Sequence, residues 1–312
     1  MNPSNLSRRA LLGGLLAATT AGVAACSGNT AQFSGGSGSG SGGSGGSGGD
    51  PKTVSMAVVA GWDECIASSS LWKVLLEQRG YTVDLQELEI APAFTAVASG
   101  QIDMYMDAWL PATHEDYWKR FEDDLETLGT WTSGTLQLAV PEYCDITSIA
   151  DLKGREGDFG GRIVGIEAGA GEMKVMRESI IPGYGLDAYT LVEGSTAAML
   201  AELQSSIKRR QNVVVTLWTP HWAYGKFDIK NLEDPDQAWG DPDELTTIAT
   251  KGFSEARPEV AGWLKNYSID DDALAGLLSQ IQAAGTENAE EVAGEWASEN
   301  ETITAAWFGE AA

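Results

Sequence analysis

Val54-Ser55-Met56-Ala57-Val58-Val59-Ala60-Gly61-Trp62-Asp63-Glu64 reads as a buried strand that runs out into a glycine–tryptophan turn. Working outward from it, Ser68–Arg79 has the spacing of an amphipathic helix closed by Gly80, and Tyr81–Leu88 alternates as a second strand. A helix over Ala93–Ser99, stopped by Gly100, and a strand over Ile102–Met106 continue the rhythm. Strands alternating with helices predict an α/β domain built on a largely parallel sheet. Gly134–Pro141 is expected to cross as a strand into a second lobe. That lobe takes a short helix at Ile149–Leu152, strands at Arg162–Glu167, Thr190–Val192 and Val213–Leu217, and helices at Glu172–Ile180 and Ser195–Lys208. After a strand at Thr246–Thr250 the pattern is helical over Pro258–Tyr267, Ile269–Ala284 and Ala289–Phe308. The division expected is 51–140 with 245–312 as lobe one and 141–244 as lobe two. Two crossings between lobes suit hinge closure around a ligand.

The first fifty residues read as address and tether. Ser7-Arg8-Arg9 precedes an uncharged apolar stretch from Ala10 to Ala25, too short to span a bilayer comfortably, which predicts an export signal over 1–25 of twin-arginine type. Val23-Ala24-Ala25-Cys26 resembles the bacterial lipobox, in which Cys26 takes a lipid; an ordinary signal peptide with an incidental Cys26 is the alternative. Residues 26–50 form the tether, and every residue from Ser34 to Gly49 is serine or glycine. Such a run behaves as flexible coil with a reach of roughly 25–30 Å. Later apolar runs are all too short to span a membrane.

Composition narrows the partners. Removal of the two signal arginines takes the formal charge from −25 to −27, which argues against nucleic acid. Cys65 and Cys144 remain in the body, and a disulfide and two buried thiols are both open. With His114 and His221 as the sole histidines, a zinc site lacks ligands, so no metal or cofactor is expected. A serine hydrolase lacks its nucleophile motif, because Gly-x-Ser-x-Gly occurs only in the tether.

Tryptophans gather where the strands are expected to end. Trp62 follows the first strand, Trp109 and His114 lie in Asp107-Ala108-Trp109-Leu110-Pro111-Ala112-Thr113-His114, and Trp218, His221 and Trp222 lie in Leu217-Trp218-Thr219-Pro220-His221-Trp222. Ligands of open α/β sheets bind beyond the carboxyl ends of strands. Indole faces suit a cation that cannot donate hydrogen bonds, so the pattern suggests a cage for a quaternary ammonium ion. Gly169-Ala170-Gly171-Glu172 lies between a strand and a helix, where it is either a tight turn or an anion site of exposed amides. Trimethylammonium at one end and carboxylate at the other is what a betaine presents. Each histidine is open to a bracing role or to donation toward a ligand carboxylate. Trp222 is read as packing or as the rim. Trp72, Trp118, Trp131, Trp239, Trp263, Trp296 and Trp307 have helical or loop settings that suit packing.

From Lys52 to Phe308 the chain resembles the glycine betaine/proline betaine substrate-binding proteins of ABC importers. Five stretches carry the resemblance: Gly61 to Glu64, Asp107 to His114, Val164 to Gly171, Val192 to Met199 and Thr216 to Trp222. The resemblance implies a two-lobed periplasmic-binding-protein fold of type II, with the ligand cleft between lobes. It implies a prism of Trp62, Trp109 and Trp218 around the trimethylammonium. The ligand carboxylate then falls to the backbone N–H groups of Gly171 and Glu172 and to His114. It further implies a partner permease, an extracytoplasmic, lipid-anchored location, a role in osmoprotection and no enzymatic activity. One departure stands out: relatives more often carry an apolar residue where Glu172 stands, and its carboxylate would repel an anionic ligand unless turned outward. Choline-type relatives put an acidic group near the alcohol end, which Glu172, Asp63 or Glu64 could supply here. A choline or carnitine receptor is therefore the rival reading; an exported enzyme acting on quaternary amine esters and a sensory or adhesive module are the others.

Overall fold

A computed structural model describes residues 52–310; the paired arginines, Cys26 and the serine/glycine run lie outside the described residues. The chain alternates as expected in its first part: β1 (Thr53–Val58), α1 (Asp63–Glu77), β2 (Thr82–Glu87), α2 (Ile90–Ala98), β3 (Met104–Leu110), α3 (Glu115–Phe121) and β4 (Leu125–Pro141). Next come β5 (Arg162–Val164), α4 (Gly171–Val175), α5 (Ile181–Tyr184), β6 (Thr190–Val192), α6 (Thr196–Arg209), β7 (Val215–Thr219), α7 (Ala223–Lys226), β8 (Ile229–Asn231) and β9 (Asp243–Thr250). A π-helical turn at Met176–Ile180 joins α4 to α5. The chain ends in α8 (Phe253–Ala256), α9 (Pro258–Asn266), α10 (Asp271–Ala284), α11 (Ala289–Glu299) and α12 (Glu301–Trp307).

The strands lie in the order β2-β1-β3-β9-β4-β7-β5-β6, with β8 also on β4. Pairs β1/β2, β1/β3, β5/β6 and β5/β7 are parallel, whereas β9 and β4 run antiparallel to their neighbours. The two lobes are thus built on parallel sheets joined through long antiparallel strands. β4 carries the junction: its first half pairs with β9 and its second half with β7. At about 3.3 Å per residue, its 17 residues are long enough to serve both sheets.

Only the second half of β4 is visible in the sequence, and its register shows why. The pairing with β9 slips between Thr127 and Gly129 and again between Thr130 and Thr132. Each slip adds a residue on β4, so the buried positions Leu125, Leu128, Trp131 and Gly134 recur every third residue instead of every second. A search for alternation misses such a strand.

The expected packing tryptophans are where bulk demands them. Trp72 of α1 lies 5.4 Å from Tyr267, which stacks on Trp131 at 5.4 Å and meets Trp307 edge-on at 4.8 Å. This cluster fastens the C-terminal helices to lobe one, and the Trp131 and Trp307 N–H groups donate to the carbonyls of Met106 and Ser268. Lobe two has its own cluster around Leu138, Ile163, Met176, Ile180, Leu186 and Val214. Cys65 and Cys144 are separate buried free thiols: Cys65 belongs to the first cluster and Cys144 to the second.

Candidate ligand-binding site

Three indoles meet in one cavity, each fixed by a different element. Trp62 sits at the N-terminal boundary of α1, just past β1. Trp109 and Trp218 do not follow their strands as the sequence pattern implies; each is the penultimate residue of its strand. The ladders run further than hydrophobicity suggests, because Trp109 pairs opposite Leu245 of β9 and Trp218 opposite Leu136 of β4. The cavity holds about 280 Å³ of empty space, and its walls include Trp62, Trp109, Trp218, His114, Gly171 and Glu172, together with Glu64 and Thr113. All six residues singled out for binding are therefore brought together.

His114 is shaped as a donor. Its Nδ1 accepts the Trp109 backbone N–H at 2.9 Å, which leaves the proton on Nε2. Burial pushes its pKa down to about 3, so the ring is neutral at physiological pH. The imidazole stacks on Trp62 with centroids 5.7 Å apart and planes 9° from parallel. Across the cavity α4 begins at Gly171. The amides of Gly171 and Glu172 precede its hydrogen-bond ladder, which starts with Met173 and Lys174 donating to the Ala170 carbonyl.

Glu172 is not turned outward. It is 2% exposed and lines the cavity, and neither carboxyl oxygen has a partner in hydrogen-bond geometry. Burial holds its pKa well above the carboxylate range, outweighing the nearby Thr216 hydroxyl and the backbone of Gln137 and Leu217. The repulsion expected of an ionised Glu172 is thereby weakened, because burial favours the protonated carboxyl. Glu64 behaves alike: it is 1% exposed, Oε2 is unpartnered, and burial pushes its pKa up to about 8. Behind the cage, Asp107 accepts the Trp109 indole N–H at 3.0 Å and fixes that ring.

Two supporting residues, Gly134 and Asp243, carry no signal of their own in the sequence, whereas His221 and Trp222 take the bracing and packing roles left open for them. A side chain at Gly134 would lie 2.4 Å from the Trp109 ring, so only glycine leaves room for the indole. Asp243 accepts the Ala112 N–H at 2.7 Å and the Thr113 N–H at 2.9 Å, and also binds the Thr113 hydroxyl. It thereby clamps the loop that carries His114. His221 is a brace: Nδ1 accepts the Ala223 N–H at 3.0 Å, and the ring meets Trp218 edge-on at 4.8 Å. Trp222 packs against His221 and donates its N–H to Asp63 at 2.6 Å. It is a bridge between the lobes and not a wall of the cavity.

The cleft is closed. Besides Trp222–Asp63, Tyr117 donates to the Gly169 carbonyl at 2.9 Å and Lys174 pairs with Asp116 at 2.5 Å. Gly171 approaches Thr113 so closely that a β-carbon there would lie 2.1 Å from the Thr113 carbonyl oxygen.

Residues 52–299 match the substrate binding domain of ABC-type glycine betaine transport systems. The chain belongs to this family. It is 35% identical over 147 residues to the glycine betaine/carnitine transport binding protein GbuC of Listeria monocytogenes, an alignment covering 46% of this chain and 48% of that protein. The chain spans about half the length of the curated relatives it matches. Among solved structures, the glycine betaine/L-proline-binding protein ProX of Borrelia burgdorferi superposes with a TM-score of 0.77 at 30% identity, covering 82% of this chain and 96% of that one. Lactococcal OpuAC, closed around glycine betaine, gives 0.77 and 30%, covering 82% and 99%. These likenesses establish the periplasmic-binding-protein fold.

Proposed function

We propose that this chain is an extracytoplasmic receptor that captures glycine betaine or a related quaternary ammonium solute and delivers it to a membrane ABC permease. The observation that carries the reading is the meeting of Trp62, Trp109 and Trp218 around one cavity whose walls also include His114, with its Nε2–H, and Gly171 and Glu172 at the start of α4. Indole faces in a dry site attract a trimethylammonium group by about 2 kcal/mol or more each. Neutral donors in the same cavity suit a carboxylate. Binding needs no chemistry: residues 51–140 with 245–312 close on residues 141–244 and trap the ligand between them. A choline or carnitine receptor is the second reading, favoured by the carboxyl groups of Glu64 and Glu172 in the cavity wall.

Calorimetric titration of the purified chain with glycine betaine, proline betaine, choline and carnitine tests the class. Saturable one-to-one binding of at least one is expected, and absence of heat with all four refutes the reading. Anchoring through a lipid on Cys26 is part of the proposal. Mass spectrometry of the mature N-terminus checks it, and an unmodified cysteine there refutes it.

A further inference from the structure

Two carboxyl groups face the proposed quaternary ammonium site with nothing to neutralise them. Glu64 comes from lobe one on α1 and Glu172 from lobe two on α4; both line the cavity and are almost completely buried. Three of their four oxygens lack any hydrogen-bond partner. No lysine or arginine lines the cavity, and neither glutamate enters an ion pair among the described residues. An unpaired anion in such a place is costly, so each group keeps a proton until a positive charge arrives.

We propose that Glu64 and Glu172 make the cage an exchanger of cation for proton: a quaternary ammonium ligand of net positive charge binds with release of one proton, and a zwitterionic one binds with none. The proposal rests on the quaternary ammonium reading above and adds which charge class each state of the site takes. A choline-type cation brings no anion of its own, so one carboxyl must ionise to balance it, and its proton passes to solvent. A betaine carries its balancing carboxylate, which meets the His114 Nε2–H and the Gly171 and Glu172 amides while both glutamates stay neutral.

The Trp218 indole near Glu64 and the Thr216 hydroxyl near Glu172 oppose burial, whereas the charged neighbours add to it. Burial raises Glu64 most, with Asp63 beside it on α1 adding to the shift, and burial followed by the charge of Glu64 raises Asp107 on β3. Glu172 feels Glu64 across the cavity, and the Tyr224 hydroxyl of α7 feels Glu172. His114 and His221 are held neutral by burial, and the Cys65 thiol and Tyr105 hydroxyl are pushed well up. Every group facing the pair is neutral or acidic, so only the ligand supplies positive charge.

Calorimetry of the whole purified chain in buffers of differing ionisation enthalpy, at pH 6, 7 and 8, counts the protons. Choline chloride is expected to release close to one proton at pH 6 and 7, with affinity rising about tenfold per pH unit, the limit for one linked proton, and levelling above pH 8. Glycine betaine is expected to release none and to keep its affinity from pH 6 to 7. The E64Q/E172Q variant is expected to lose the release. Choline binding to the parent chain without proton release overturns the proposal whether or not the variant folds, as does release that survives in a folded double variant. Binding of both ligands with no release refutes the exchange alone, whereas no heat from choline, glycine betaine, proline betaine or carnitine at any pH refutes the quaternary ammonium reading with it.

Discussion

Gly171→Ala should abolish closure while leaving the unliganded protein at least as stable. In the closed cleft the new methyl would sit 2.1 Å from the Thr113 carbonyl oxygen and 2.6 Å from its Cγ2, where ordinary contact begins at 3.4 Å. Thr113 cannot retreat, because Asp243 holds its N–H and hydroxyl. The lobes must therefore stay apart by more than an ångström at this point, about 1.3 Å if the movement follows the contact. The Trp222–Asp63 bond of 2.6 Å and the Tyr117–Gly169 bond of 2.9 Å are then stretched beyond useful length. Each is worth about 1 kcal/mol net. Loosening one indole from the ligand adds a similar amount, so a total of about 3 kcal/mol corresponds to a loss of affinity of roughly 150-fold. The backbone gives no reason for destabilisation, since Gly171 is not among the glycines with positive φ and alanine is tolerated there. Calorimetry with glycine betaine reads the affinity, scattering at saturating ligand reads closure, and thermal unfolding without ligand reads stability. Affinity within threefold of the parent, with the same contraction on binding, would refute the argument that this contact gates the closed state.

Single replacement of Trp62, Trp109 or Trp218 by alanine should weaken quaternary ammonium binding at least tenfold, about 1.4 kcal/mol, with tyrosine milder because a π face remains; equal affinity in a titration would dismiss the cage. His114→Ala should weaken glycine betaine much more than choline, since the lost Nε2–H serves a carboxylate, and equal losses for both ligands would remove that role. Acid should destabilise the fold through both histidines. Burial lowers His114 and His221 from 6.5 to about 3, so the unfolded chain takes up their protons first and stability falls as pH drops from 6.5 toward 3. His221→Gln should reduce that slope by one proton, about 1.4 kcal/mol per pH unit, in urea titrations from pH 7 to 4, and an unaltered slope would mean that His221 titrates freely.

How far the fold could be read in advance depended on what each residue answers to. Trp62, Trp109, Trp218 and His114 stand beside strands that local hydrophobicity reveals, so the order of motifs placed them at one end of the sheets. The α1 helix starts at Asp63, ahead of the expected Ser68, because Asp63 and Glu64 are buried in its first turn, where acidic residues read as solvated. Helix α3, with no buried residue, lacks the apolar stripe that would announce it. Gly134 and Asp243 act across sequence separations that no local pattern records: Gly134 makes room for Trp109, and Asp243 lies 130 residues from the Thr113 amide it holds. The Glu172 departure was visible, but its consequence was not, because the protonation state depends on burial that only the closed cleft supplies.

That dependence makes assembly of the cage and closure of the lobes one event. Trp218 is braced by His221, and His221 presents Nε2 to Asp63 of the opposite lobe at 3.4 Å while Trp222 donates to the same carboxylate. Trp62 stands next to Asp63 in sequence, so the residue that receives the bridge also starts the helix whose first boundary carries a cage wall. Burial raises the Asp63 pKa to about 6, against the stabilising Trp222 bond, so at neutral pH the bridge is a charged acceptor held by the Trp222 indole N–H. Opening the cleft removes the Trp222 donor and exposes Asp63 together. On the proposed reading, a ligand that pulls Trp62 and Trp218 onto the same cation also drives formation of the bridge, and the energy of binding is expressed as the closed shape that would distinguish a loaded receptor from an empty one.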